Sequence, residues 1–298
     1  AKLVDERSIV NALVGLMATG GSTNLVIHLI AIAKAAGIEL TLDDISDISA
    51  ITPLLVRLYP NGSADVNKFH SLGGTAYLIS ELLDNGFLHD DIPTIHPDGM
   101  SAYRMSPCLD EDGCLTYQNL DLEYDKTVIR KFNEPFESQG GVKLLRGNLG
   151  NAVVKISSVQ ESERYIEAPA KVFHSQSEVK AAFAAGELNH DCVVVLRFQG
   201  PAANGMPELH GLAPIFEAIR SFGNKIALLT DGRLSGASGS ILSAIHLSPE
   251  AASKGPIAYI QDGDMITIDS KQGLISVQAD FTGREPAVAP KFEPGLGR

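Results

Sequence analysis

The sequence predicts an α/β protein in two parts, a mainly helical segment over residues 1–145 and a mixed β/α module over residues 146–298. Three observations carry this. Before residue 90, apolar residues recur at helical spacing and glycines stand where helices should end. After residue 147, short apolar runs of β-type residues alternate with helical stretches. Two of those runs, Cys192–Phe198 and Ile226–Leu229, lead directly into glycine-rich polar turns. Open α/β sheets place their chemistry in such turns, at the carboxyl ends of strands.

The elements follow in order. Residues 8–37 read as two helices, with Leu13, Leu16 and Met17 on the first and Leu25, Leu29, Ile32 and Ala33 on the second. Gly20 and Gly21 break them, Ser22, Thr23 or Asn24 can cap the second with its free amides toward the loop, and Gly37 closes it. Leu42-Asp43-Asp44 starts a short helix with its acids in the first turn. Ile51–Tyr59 is apolar and reads as a strand or a short helix, and Pro60–Ser63 is a turn. Val66–Asn85 reads as one helix that Gly73-Gly74 lets pack closely and Gly86 ends. Residues 90–140 are polar and turn-rich, a long excursion or linker. Beyond it, 152–156, 170–173, 192–198 and 225–229 read as strands, with helices at 179–185 and 212–220. Ile257–Ile260, Met265–Ile268 and Leu274–Val277 close the chain as three short strands. The strands of this module are expected to form a sheet or barrel with helices packed outside it.

A chain of 298 residues with 44% hydrophobic content can bury a sizeable core. The net charge of −12 argues against a nucleic-acid-binding surface and fits a soluble cytoplasmic protein. Cys108, Cys114 and Cys192 are too few and too irregularly spaced for a disulfide framework or a zinc site, so a reducing compartment is expected. No apolar stretch reaches membrane-spanning length, and no secretory signal stands at the start. The chain opens on Ala1 in mid-pattern, from which a processed protein or a fragment of a longer one is expected.

Two turns carry candidate chemistry. In Gly200-Pro-Ala-Ala-Asn-Gly-Met-Pro-Glu208, Pro207 fixes the backbone ahead of a carboxylate suited to a hard cation such as Mg²⁺. The plainer reading, a helix start with Pro and Glu in its first turn, is favoured by spacing alone. In Asp231-Gly-Arg-Leu-Ser-Gly-Ala-Ser-Gly239, glycines can wrap backbone amides around an anion, and Ser235 beside Arg233 or a metal could become a base or nucleophile. It is not a nucleophile elbow, since Gly232 stands three positions before Ser235 rather than two. Its plain reading is a flexible loop feeding a helix that starts near Ser240. Gly20-Gly-Ser-Thr-Asn24 could hold a phosphate or carboxylate at a helix start, or could be a kink with a good cap. His28, His70, His174, His210 and His246 are scattered, and each alone reads as structural or exposed.

Together these segments resemble the dihydroxy-acid dehydratase / 6-phosphogluconate dehydratase family. The residues that carry the resemblance are Asn11-Ala12, Gly20–Asn24 with His28-Leu29, Gly200-Pro with Gly205–Glu208, Thr230–Arg233 with Ser235-Gly236, His246 with Ser248–Ala251, Gly255–Ile257 and Asp262–Asp264. Tyr59–Asp65, Glu167–Ala170 and Val172–Gln176 look like the 6-phosphogluconate branch. The resemblance implies a hydro-lyase converting 6-phospho-D-gluconate to 2-dehydro-3-deoxy-6-phospho-D-gluconate in the Entner–Doudoroff pathway. It implies an iron–sulfur cluster, 4Fe-4S or 2Fe-2S, and Mg²⁺ or Mn²⁺. Glu208 would be a metal ligand and Ser235 the base that takes the proton beside the carboxylate. Ser22, Thr23, Asn24 and Arg233 are candidates for contact with the substrate.

Cys108, Cys114 and Cys192 do not occupy the family's cluster positions, so no cluster ligand is assigned in this chain. The cluster and the remaining metal ligands are expected from a missing N-terminal part of the same enzyme. The resemblance also implies a swivelling β/β/α second domain, a mainly helical remnant of an α/β first domain, and a homodimer. Two alternatives stand beside it: another sugar-acid or dihydroxy-acid dehydratase, and a non-catalytic module that binds an acid or docks a partner domain.

Overall fold

A computed structural model describes residues 3–119, 124–235 and 240–291. The chain divides into two compact units between Val142 and Lys143.

The first unit is built on five helices, α1 (Glu6–Thr19), α2 (Asn24–Ala35), α3 (Leu42–Ile51), α4 (Val66–Ser71) and α5 (Gly74–Asp84). Local sequence sets their ends. Asp5 accepts from the Ser8 amide at 2.8 Å while the Ser8 hydroxyl accepts from the Asp5 amide at 2.9 Å, a reciprocal cap that satisfies two otherwise orphaned donors. Thr41 and Asp44 repeat the device on α3. Gly20 closes α1 at φ 56°, a left-handed conformation that glycine adopts without strain. Thr23, at the start of α2, makes no capping bond with its side chain; the Ser22 hydroxyl accepts from the Asn24 amide at 3.3 Å instead.

Three expectations change here. The single helix over 66–85 is two helices, because the chain passes through positive φ at Gly73 (97°) and Gly74 (54°). The apolar stretch 51–59 is neither a regular strand nor a helix. Leu54 and Val56 make single antiparallel pairings with Glu137 and Ile129. The excursion over 90–140 is not a bare linker. It holds a 3₁₀ turn at Gly99–Arg104 and a hairpin of β1 (Ser106–Leu109) and β2 (Leu115–Gln118), and its later part supplies those pairing partners.

The second unit is a closed barrel. Its strands are β3 (Val142–Gly147), β4 (Gly150–Lys155), β5 (Tyr165–Phe173), β6 (Cys192–Leu196), β7 (Ile226–Thr230), β8 (Ser243–Ser248), β9 (Met265–Asp269) and β10 (Leu274–Gln278), in the order β10-β3-β4-β8-β7-β6-β5-β9. β5 through β8 run parallel to one another, and β9 is antiparallel to both β5 and β10. Helix α6 (Gln176–Ala184) connects β5 to β6, and α7 (Pro201–Asn204) and α8 (Ala213–Ser221) lie between β6 and β7.

Alternate residues fill the core: Ile166, Ala168 and Ala170 on β5, Val193 and Val195 on β6, Ala227 and Leu229 on β7, Ile266 and Ile268 on β9. A period of two is what a strand imposes when one face lines a barrel. Truncating any one of the larger of these to Ala costs about 2–5 kcal/mol. The fold is therefore α/β with a barrel-like second unit. Two short elements differ from expectation. Residues 256–259 form a 3₁₀ turn starting at Pro256 rather than a strand, and Ser240 leads into β8 rather than into a helix.

Candidate active site

The carboxyl ends of β5, β6, β7 and β8 share one rim of the barrel, and the segments leaving them meet there. Asp231, the first residue after β7, ties them together. Its carboxylate accepts from the amides of Phe198 (3.2 Å) and Gln199 (2.8 Å), which follow β6, and of Ala251 (2.9 Å), which follows β8. Burial raises the Asp231 carboxyl above its ordinary range, against the pull of those three donors. Arg197 braces the same rim. One guanidinium nitrogen donates to the carbonyls of Ala258 (3.0 Å) and Ile260 (2.9 Å), and Nε donates to the His174 ring at 3.1 Å. Burial and the Arg197 charge lower the His174 pKa.

Gly232 leaves no room for a side chain: a Cβ there would lie 2.7 Å from the Gln199 Cβ. A Cβ on Gly200 would lie 2.2 Å from a Glu250 carboxylate oxygen, which would have to move aside.

On this frame Glu208 and Arg233 are neighbours through a single parallel backbone pairing. The Arg233 guanidinium donates to Glu208 Oε2 at 2.8 Å and to the Met206 carbonyl at 2.8 Å. Glu208 Oε1 accepts from the His210 amide at 3.1 Å, and its backbone carbonyl accepts from the Gln176 side chain at 3.1 Å. Glu208 is thus not in the first turn of a helix. The short helix α7 ends before it, and the carboxylate is held from both sides by loops. Two further lone-pair directions on its oxygens take no bond from a described residue, so it can ligate a hard cation while keeping Arg233. Ser235 is half-buried, two residues beyond Arg233, which limits its Cα to about 7 Å from that of Arg233. Gly236–Gly239, the rest of the expected anion-wrapping loop, lie outside the described residues.

Ser22, Thr23 and Asn24 belong to the first unit, where Thr23 is buried. Cys108 and Cys114 lie on the β1–β2 hairpin, with the Cys108 sulfur 3.0 Å from the Thr116 hydroxyl, and Cys192 is buried in β6, where burial pushes its thiol up to about 11. Among the described residues no group of three or more His, Cys, Asp or Glu side chains converges as a metal site. An iron–sulfur cluster therefore has no described ligand set here, and no step is derived through one. A cavity of about 360 Å³, lined by Tyr165, Arg220, Lys225 and Leu242 among others, opens at the amino ends of β5 and β7. That is the barrel end opposite Asp231, Glu208 and Arg233.

Sequence reasoning placed Glu208, Arg233 and Ser235 but missed Arg197, Gln199 and the anchoring role of Asp231. A signal was present for Arg197, a charge inside the apolar run Cys192–Phe198. Three non-glycine residues at the rim, Phe198, Met206 and His246, also hold positive φ (63°, 53° and 55°). Such strain collects at functional sites.

At one rim of the closed barrel the loops after the parallel strands bring together a carboxylate and a guanidinium, with a hydroxyl two residues further on. Comparison with known proteins gives the family. Residues 1–103 match the model described as dihydroxy-acid/6-phosphogluconate dehydratase N-terminal, and residues 127–292 match its C-terminal counterpart. The chain belongs to the dihydroxy-acid/6-phosphogluconate dehydratase family. It is 52% identical over 303 residues to a phosphogluconate dehydratase of Rhizobium meliloti, covering 100% of this chain and 50% of the relative. It is 49% identical over 281 residues to one of Pseudomonas aeruginosa, covering 94% and 46%. A dihydroxy-acid dehydratase of Sulfurisphaera tokodaii is 38% identical over 302 residues, covering 96% and 50%. The chain spans about half the length of the curated relatives it matches.

Proposed function

We propose that this chain forms part of a hydro-lyase that removes water from 6-phospho-D-gluconate to give 2-dehydro-3-deoxy-6-phospho-D-gluconate, the dehydration step of the Entner–Doudoroff pathway. The observation that carries the reading is Glu208, held at the barrel rim with oxygen lone pairs to spare, beside Arg233, which stands two residues before Ser235. Near half identity to phosphogluconate dehydratases along the whole chain supports this substrate.

In this reading Glu208 contributes one oxygen ligand to Mg²⁺ or Mn²⁺, and the remaining ligands come from outside this chain. A divalent cation supplies charge that stabilises the enolate. Ser235 Oγ, as an alkoxide, takes the proton from the carbon next to the substrate carboxylate, and the hydroxyl on the following carbon leaves with its bonding electron pair and takes up a proton, matching the one Ser235 gives back, to become water. Carbon–hydrogen and carbon–oxygen bonds break, and a double bond forms between the two carbons. The resulting enol tautomerises to the 2-keto acid. An ordinary serine is too weak a base for this, so positive charge must lower its pKa, and Arg233 is the described cation nearest in sequence. Asp231 holds the three loops that set these positions.

The iron–sulfur cluster implied for the family, the swivelling motion of the barrel unit, a homodimeric assembly and a cytoplasmic location belong to the same proposal. Among the described residues no helix is long and apolar enough to cross a membrane. The 38% identity to a dihydroxy-acid dehydratase supports a second reading, an unphosphorylated acid as substrate.

The test uses the full-length enzyme carrying this chain. Glu208→Gln and Ser235→Ala should each lower kcat for 6-phosphogluconate by at least about 10³-fold, as loss of a group acting in the transition state does. Their melting temperatures should stay with the wild type, since both side chains are partly exposed. Retained turnover in either variant removes the role given to that residue, and a preference for an unphosphorylated acid replaces the substrate.

A further inference from the structure

His246 lies near the carboxyl end of β8, in a stretch that carries the family resemblance but by itself gives the residue no role. The structure does. Asn151 on β4 pairs with Ser248 and Val153 pairs with Ile245, so one residue of β4 faces two of β8, and the extra residue is accommodated with His246 at φ 55°. The His246 amide turns from the ladder to donate to the Gly232 carbonyl at 2.9 Å, which ties it to the loop carrying Arg233 and Ser235. The side chain is 8% exposed, yet among the described residues neither ring nitrogen has a hydrogen-bond partner.

A residue kept for the fold alone would not combine these features. Glycine or asparagine fits that backbone with less strain, and leucine fits that burial without an unmade hydrogen bond. A histidine with open donor and acceptor positions, beside a site that takes a small molecule, has the features of a group that meets its partner when the ligand arrives. Burial, reinforced by the Arg233 charge, lowers its pKa to about 4, so the ring is neutral at working pH. A neutral imidazole offers one donor and one acceptor. The two point away from each other; the N–H can serve any oxygen, but the bare nitrogen needs a donor, which an alcohol hydroxyl supplies and an ionised phosphate or carboxylate does not.

We propose that His246 is a substrate-binding residue of this site and that the bare nitrogen of its imidazole accepts a hydrogen bond from one hydroxyl of a polyhydroxy acid. The inference rests on the dehydratase reading and adds to it a determinant of substrate class, selecting acids with a hydroxyl at one particular carbon.

The test measures inhibition of the full-length enzyme by four mono-deoxy 6-phosphogluconates, lacking the hydroxyl at C2, C3, C4 or C5, in the wild type, His246→Asn and His246→Leu. Asparagine tolerates positive φ and protects against simple misfolding. In His246→Leu the substrate KM and the inhibition constants of three analogues should rise about tenfold, the worth of one buried hydrogen bond. The fourth analogue, lacking the hydroxyl that His246 holds, should bind wild type and variant alike, and His246→Asn should recover part of the loss. Equal weakening of all four analogues overturns the inference and makes His246 a structural residue. Failure of both variants to fold overturns it for the same reason. If variants and wild type bind every analogue alike, the inference fails and the dehydratase reading stands. If the wild type dehydrates no polyhydroxy acid, both fall.

Discussion

The two units bury polar groups differently. In the first, the buried side chains that carry a polar group among the described residues include the hydroxyls of Thr23, Ser49, Thr52 and Tyr77. Ser49 donates to the Val142 carbonyl at 2.6 Å and Thr52 to the Ile48 carbonyl at 2.7 Å, so these two complete helix and turn hydrogen bonding. In the barrel unit the buried set includes Lys155, Arg197, Asp231, His246 and Asp269. Burying an ionisable group is expensive unless it is paired or neutralised. Three of those five, Arg197, Asp231 and His246, belong to the rim that carries Glu208. The described buried polar groups of the first unit are hydroxyls, while the barrel unit buries ionisable groups at the rim of the candidate site.

The difference can be broken at its anchor. Asp231→Asn replaces an acceptor with a donor facing three backbone amides, and should destabilise the barrel unit by about 3 kcal/mol. Denaturant unfolding of the full-length protein reads this directly, and turnover should fall with it because the loops bearing Glu208 and Ser235 lose their common tie. A variant as stable as the wild type would show that Asp231 does not organise the rim.

A comparable effect is expected from pH. The folded pKa of His246, about 4, lies below the ordinary value of 6.5, so the unfolded chain binds the extra proton between those values. Stability from this group is full above pH 6.5 and is lost as pH falls toward 4, in all about 3 kcal/mol. Asp231 acts in the opposite sense. Its raised pKa adds stability at low pH that is lost as pH rises through the folded pKa. The difference between wild type and His246→Asn across pH 4–6.5 isolates the histidine. A constant difference would mean that the ring is not buried in its neutral form.

The smallest effect belongs to the first unit. Ser8→Ala removes half of the reciprocal cap on α1 and should cost about 1 kcal/mol. Turnover per folded molecule should not change. A loss of activity at constant stability would give the first unit a site role that its described buried polar groups do not show.

Much of the fold was legible because its signals are local. Apolar runs and helical spacing marked β4, β6, β7, α1, α2 and α8 closely, and Gly20 marked the end of α1. Misreadings arose where a short apolar run satisfies more than one conformation. Ile257 and Ala258 are fully buried in a 3₁₀ turn, and Leu54 and Val56 are buried in single pairings, so burial without regular structure produced the apolar pattern. A barrel was one of the two arrangements expected for these strands, but its closure between β10 and β3, across most of the second unit, has no local feature that encodes it.

The site divided in the same way. Glu208, Arg233 and Ser235 sit in glycine-rich turns that advertise themselves. Asp231 becomes an anchor, and His246 a site neighbour, only through contacts between residues distant in sequence.

Manganese binding tests the central claim most directly, that Glu208 is a metal ligand rather than only the partner of Arg233. Mn²⁺ binding to the full-length enzyme, followed by electron paramagnetic resonance in wild type and Glu208→Gln, reads the ligand without requiring turnover. Affinity should fall by at least about 100-fold in the variant, since loss of a direct ligand exceeds the 10–100-fold typical of its supporting groups. Unchanged affinity would confine Glu208 to its ion pair with Arg233 and remove the metal from the barrel rim.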